Sequence, residues 1–205
     1  MRKNHNKARN PVQDRGIETR KKILDAAREL FSEKGFHGTN SKEIAARAGI
    51  AVGTFYSYFD EKKPLFLEVF TRYYAEVREA SFSTLGEQIS GNPDIKGIVR
   101  SMIHVLYHAH DTAPLFHREA IAMMYLDPDV EKINREEEKK VTALLAFYLS
   151  QHKDKIRVDD IDSAAYIIHK TVEETIHAIK IFHVAPDEKR IISELEDMIC
   201  RYLFP

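Results

Sequence analysis

The residues best suited to chemistry in this chain cluster in the stretch AVGTFYSYFDEKKPLF, residues 51–66. Phe55 and Phe59 are four apart and face a core together, which leaves Val52, Gly53, Thr54, Tyr56, Ser57 and Tyr58 on the opposite side of a short helix. Short side chains at the N-terminal end of such a helix let it enter a major groove and reach base edges, while hydroxyls and backbone amides hold the flanking phosphates. Tyr56 and Tyr58 suit phosphate contact because their rings pack and their hydroxyls donate, and Lys62 is placed to reach the same strand.

A second concentration runs from Ser101 to Asp127, SMIHVLYHAHDTAPLFHREAIAMMYLD. Met102, His104, Tyr107, His108, Phe116, His117, Met123 and Met124 are the candidates for lining a space between helices. Polarizable Met and aromatic side chains with a few polar handles suit an apolar or aromatic small molecule; the competing expectation is that a helical core uses the same residues as filler. His104 and His108, at i and i+4, share a helix face, with His177 a remote third metal candidate. No Cys or Glu stands at a supporting spacing, so neither metal nor cofactor is expected. No G-x-S-x-G, P-loop or dinucleotide glycine fingerprint occurs, and no catalytic set is expected. The lone Cys200 excludes an internal disulfide framework and a cysteine-rich zinc site.

Helices must position these residues. Ile23, Ala27, Leu30 and Phe31 recur at helical spacing and Gly35 supplies a stop. Asn40 followed by Glu43 has capping-box spacing, opening a short helix that Gly49 ends. A third helix covers about 52–58. A long bracing helix followed by two short ones across a glycine turn is a helix-turn-helix unit, with Leu24, Ala27, Phe31, Ile44, Ile50, Phe55 and Phe59 as its core. Residues 1–15 read as a flexible basic arm. Beyond residue 63, helices are expected at about 62–85, 94–110, 113–125, 129–152, 159–184 and 186–202, with Gly86, Gly91, Asn92 and Pro93 as breakers. Apolar stripes mark the last two helices: Ala164, Ile168, Val172, Thr175 and Ile179 on one, and Ile191, Ile192, Leu195, Ile199 and Tyr202 on the other. The fold class is therefore all-α, divided into the arm, a DNA-binding domain over 16–63 and a helical domain over 64–205.

The chain has 205 residues and a net charge of −1, but the charge is unevenly spread. Residues 1–63 hold 14 Lys and Arg against 8 Asp and Glu, so a polyanion partner is expected for the N-terminal part alone. No segment approaches the roughly 20 apolar residues of a bilayer helix, and a cytoplasmic protein without a membrane partner is expected.

From Thr19 to Val69 the sequence resembles the DNA-binding domain of the TetR family of bacterial transcriptional regulators, on AARELFSEKGF, IAARAG and GTFYSYFDEK. The resemblance implies that Ser41 and Lys42 on the second helix, Thr54, Tyr56 and Tyr58 on the recognition helix and Lys62 on the next helix approach DNA. Ala51 departs from the Ser often found before the recognition helix, which removes an N-cap hydrogen bond. The rest resembles the family's ligand-binding domain in outline, and the family pairs its last two helices into a four-helix dimer interface. A homodimeric repressor, released from a palindromic double-stranded DNA operator by a small-molecule effector, is the expectation. The alternatives are an activator and a protein-interaction module that has lost DNA binding.

Overall fold

The computed structural model describes residues 11–88, 94–111 and 113–205, except for the side chains at 11–13, 81 and 83–88. Among them every regular element is a helix: α1 (Pro11–Lys34), α2 (Ser41–Arg47), α3 (Val52–Tyr56), α4 (Lys62–Gln88), α5 (Ile95–Ala109), α6 (Pro114–Met124), α7 (Pro128–Ser150), α8 (Ile161–Lys180) and α9 (Glu188–Leu203). The chain divides into two compact units, Met1–Val69 and Phe70–Pro205, and the division falls inside α4.

The expected arm is corrected at its end, because residues 11–15 belong to α1. Proline is tolerated in a first turn, where its missing N–H has no intrahelical partner to lose. Residues 1–10 lie outside the described residues, as do the expected breakers Gly91, Asn92 and Pro93. Gly86 does not break α4, which continues to Gln88; one glycine costs a helix only about 1 kcal/mol relative to alanine.

The first unit closes around Ile23, Leu24, Ala27, Phe31, Ile44, Phe55, Leu65 and Phe66, all at most 2 % exposed. The Phe31 and Phe66 rings meet edge to face at 5.3 Å. In the second unit one core joins Ile95, Val99 and Ile103 of α5, Leu149 of α7, Ile168, Val172, Ile176 and Ile179 of α8, and Ile192, Leu195 and Ile199 of α9.

That core corrects one expectation. Most of the two stripes assigned to a dimer interface is buried inside the chain itself, with Thr175 and Ile191 half-buried and only Tyr202 exposed. Periodicity finds the most apolar face of a helix, and here that face packs on the chain's own neighbours. The exposed apolar side chains of these helices are instead Tyr166 and Ile167 on α8, and Met198 and Tyr202 on α9.

Candidate functional site: helix-turn-helix face and buried cavity

α2 begins as the sequence predicts. The Asn40 side-chain oxygen accepts from the backbone N–H groups of Lys42 and Glu43, both at 3.1 Å, and the Asn40 N–H donates to the Glu43 carboxylate at 3.3 Å. This reciprocal capping satisfies amides that a helix start leaves free. Arg47 anchors α2 on α1 through both Glu33 oxygens, at 2.9 and 3.0 Å, and through Glu29 at 2.9 Å. Gly49 takes φ +68°, a left-handed turn that glycine adopts without steric cost, and so redirects the chain into α3.

α3 starts at Ala51 without a side-chain cap, as its sequence requires, and the Ala51 carbonyl accepts from the Thr54 and Phe55 amides at 2.9 and 3.2 Å. Phe55 is fully buried and Phe59 nearly so, which turns Val52, Gly53, Tyr56 and Ser57 outward, with Thr54 and Tyr58 half-exposed. The Tyr56 ring stands edge-on to Phe55 at 5.3 Å and is half-exposed. Ser57 donates its hydroxyl back to the Gly53 carbonyl at 3.1 Å. On α2, Ser41 is half-buried and Lys42 exposed.

Lys62, at the start of α4, makes local contacts. Its ammonium donates to the carbonyls of Phe36 and Thr39, at 2.5 and 2.6 Å, and lies 4.2 Å from the centre of the Phe36 ring. Two acceptors and a ring face hold the half-buried cation beside the turn before α2.

In the second unit a cavity of about 110 Å³ opens among helices α4 to α9. Aliphatic residues such as Val99, Ile103, Leu145, Leu149, Ile168 and Val172 form most of its wall. Its polar residues are Tyr73, Tyr74, Arg78, His110, His117, Tyr148, His169 and Glu173. The Tyr148 hydroxyl and the His169 Nε2 are buried and have no hydrogen-bond partner. Arg78 pairs with the buried Glu137, which Lys140 also reaches at 2.6 Å. Burial holds His169 down to about 4, with the Lys170 charge acting in the same direction. Glu173 lies 3.5 Å from His169, too long for a strong charge-assisted bond, and its own carboxyl is pushed up by burial. We therefore read the His169 ring as neutral at pH 7.

Of the eight side chains assigned to a ligand from sequence, Met102 and His117 line this cavity. His104, Tyr107 and His108 border a separate, shallower depression with Lys180, Glu188 and Glu196. There His104 Nε2 meets Glu196 at 2.9 Å and His108 Nδ1 meets Asp111 at 3.4 Å, so both imidazoles contact carboxylates on an exposed face. Phe116 is fully buried against Phe70 and Tyr73, and Met123 is buried; neither they nor the half-buried Met124 borders the cavity. Sequence reasoning missed Tyr73, Tyr74, Arg78, Tyr148, His169 and Glu173. The available signal was polar residues set into otherwise apolar helix faces, such as His169 and Glu173 within the α8 stripe.

Comparison with known proteins bears on both units. The family model described as bacterial regulatory proteins, tetR family, matches residues 23–69, and that of the tetracyclin repressor-like C-terminal domain matches residues 94–203. The HTH-type transcriptional regulator YdgC of Bacillus subtilis (strain 168) is 32% identical over 49% of this chain and 51% of its own length. UidR of Escherichia coli (strain K12), also an HTH-type transcriptional regulator, is 29% identical over 69% of this chain and 70% of its own. In fold, a transcriptional regulator from Saccharomonospora viridis, solved in complex with choline, superposes with a TM-score of 0.73 at 16% identity, covering 92% of this chain and 99% of that one. With its helix-turn-helix unit and its helical C-terminal domain each matched, the chain belongs to the tetR family of DNA-binding transcriptional regulators.

Proposed function

We propose that this regulator represses transcription as a homodimer on a palindromic operator, and that a small apolar or aromatic effector bearing a hydrogen-bonding group releases it by filling the buried cavity. The observation that carries the DNA half is the outward face of α3, where Val52, Gly53, Thr54 and Tyr56 lie beside one another over a core fixed by Phe55. Thr54, near the N-terminal end of α3, is suited to base edges, and Tyr56 is suited to phosphate. Ser41 and Lys42 at the start of α2 add flanking contacts, while Lys62 contributes by holding the turn that carries α2.

The effector half rests on the cavity's mixture of apolar wall and unpartnered polar atoms. A buried hydroxyl or imidazole nitrogen without a partner costs about 1 to 3 kcal/mol, a cost that a ligand supplying the bond relieves. The choline complex of the S. viridis regulator gives this reading a precedent within the fold. To regulate, the effector has to favour the non-binding state by a coupling of about 1 to 3 kcal/mol.

The dimer is assigned to the exposed apolar side chains of α8 and α9, Tyr166, Ile167, Met198 and Tyr202. The test of the whole reading is fluorescence anisotropy on a selected operator, with wild type and with Tyr148→Phe, in the presence of small molecules extracted from the purified protein. Release of DNA by the extract, weakened in the variant, is the expected result. An extract that binds the protein and leaves DNA affinity unchanged contradicts the effector role.

A further inference from the structure

Three histidines from three different segments converge in the second unit: His110 just beyond α5, His117 on α6 and His177 on α8. All three are buried, at 5 %, 4 % and 6 % exposure. Their ring centres are 4.6 Å apart for His110 and His117, 4.9 Å for His117 and His177, and 5.4 Å for His110 and His177. One nitrogen from each ring lies within 4.8 Å of those of the other two. In each ring the Nε2 atom is buried without a hydrogen-bond partner. Three orphaned imidazole nitrogens in one place are costly for a folded chain, and an ion shared among them is one partner that satisfies all three at once.

The opposite edges of two of the rings are already held. His110 Nδ1 sits 2.7 Å from the Leu106 carbonyl, an acceptor only, so Nδ1 carries the proton and Nε2 presents its lone pair. His117 Nδ1 lies 2.9 Å from the Tyr73 hydroxyl, which accepts that N–H when Nε2 is the ligating atom. Outer partners of this kind fix the tautomer and orientation of metal-bound histidines. Burial also pulls each ring's proton affinity down, His177 to about 4, so the rings are neutral near pH 7, the form a metal takes.

The geometry points to a binding site for a divalent first-row metal ion of the zinc class, held by the Nε2 atoms of His110, His117 and His177, with an open fourth position at the cavity that His110 and His117 line. An all-nitrogen set with no carboxylate or thiolate selects late first-row ions over magnesium or calcium. Three histidines leave one tetrahedral position for water or a ligand donor atom. With metal–nitrogen bonds of about 2.0 to 2.1 Å, the nitrogens of a tetrahedral ion sit about 3.3 Å apart, so nitrogens now within 4.8 Å of one another draw together by up to about 1.5 Å on binding. The inference does not depend on the effector reading, because a metal-loaded site would exist whether or not an organic ligand shares the cavity.

The test uses the full chain without an affinity tag, stripped with a chelator and titrated with Co²⁺, and then with Zn²⁺ against a chromophoric chelator. The expected result is a single ion per chain, intense visible bands of tetrahedral cobalt, and a higher melting temperature with Zn²⁺. His177→Gln and His117→Gln should each abolish stoichiometric binding, and the surface double variant His104→Gln/His108→Gln should leave it intact. Tyr73→Phe should weaken binding by about 10- to 100-fold, the usual cost of losing an outer partner. Should a histidine variant fail to fold, the wild-type spectrum still decides. No stoichiometric ion, or the weak bands of six-coordinate cobalt, overturns the proposal. Binding that survives His177→Gln, or that is lost with His104 and His108, overturns it as well.

Discussion

A β-carbon added at Gly53 would meet no heavy atom within 4 Å, so nothing in the protein's own packing requires glycine at this point in α3. Glycine in a helix costs up to about 1 kcal/mol relative to alanine. A residue that weakens its own helix and relieves no crowding fits close approach by a partner from outside. Gly53→Ala should therefore unfold at the same or a higher denaturant concentration than wild type, yet bind DNA more weakly by anisotropy; unchanged DNA affinity would detach Gly53 from the interface. Thr54 and Tyr56 divide the labour differently. Tyr56→Phe removes a hydroxyl suited to phosphate and should weaken binding to specific and random duplexes alike, whereas Thr54→Ala should change which sequences are preferred. At His169 the folded value of about 4 lies below the ordinary 6.5, so the unfolded chain takes up the proton first as pH falls. Stability from this group is full above about pH 6.5, declines through the window from 6.5 to 4, and is lost below it, by on the order of 3 kcal/mol. The groups acting on His169 include Glu173, Lys170, Glu138 and His177; Glu173, raised by burial, acts in the opposite sense, while His177, itself held down to about 4, acts in the same one. Comparing wild type with His169→Leu isolates the histidine: the stability of wild type relative to the variant should fall between pH 6.5 and 4 in urea titrations. A difference that stays flat across that window would mean His169 is not held neutral.

Among the elements, α2 carries the sharpest link from local sequence to structure. Asn40 and Glu43 cap it reciprocally, as their spacing predicts, and Asn40→Ala should cost about 1 kcal/mol of stability in urea unfolding with little change in the slope. No loss would mean that the α1–α2 packing alone sets this helix start. The helices of the second unit were also legible, because Gly and Pro punctuate strongly amphipathic segments, and α5 to α9 lie within a few residues of the expected spans. What could not be read was which face of a long helix meets what. The stripe on α8 proved to be core, and the exposed Tyr166 and Ile167 lie on another side of it. The cavity was half legible for the same reason. Met102 and His117 were found in a chemically rich segment, but His169 and Glu173 lie on α8, distant in sequence, and only tertiary packing brings them beside Met102. Lys62 shows the converse. Its sequence position suggests a DNA contact, and its hydrogen bonds to the carbonyls of Phe36 and Thr39 are an added role that no periodicity encodes.

For the whole molecule, two units carry separate work, a compact helix-turn-helix unit and a helical unit with a cavity. Among the described residues no helix is long and apolar enough to cross a membrane. The dimer belongs to this scale. Ile167→Glu combined with Met198→Glu places charges on the exposed apolar faces of α8 and α9 without touching the core, and should convert a dimer to a monomer by light scattering while helical content is retained. A variant that stays dimeric would move the interface elsewhere. Dimeric, sequence-specific recognition through α3 can be checked by selecting DNA from a random duplex pool with the purified wild-type chain and titrating salt against the winner. The account predicts an inverted repeat whose half-sites lie about one helical turn apart, with affinity falling steeply as salt displaces the protein from phosphates. A folded dimer that enriches no sequence even after bound small molecules are removed, or whose affinity for the selected site is undiminished in the Gly53→Ala and Tyr56→Phe forms, would contradict it.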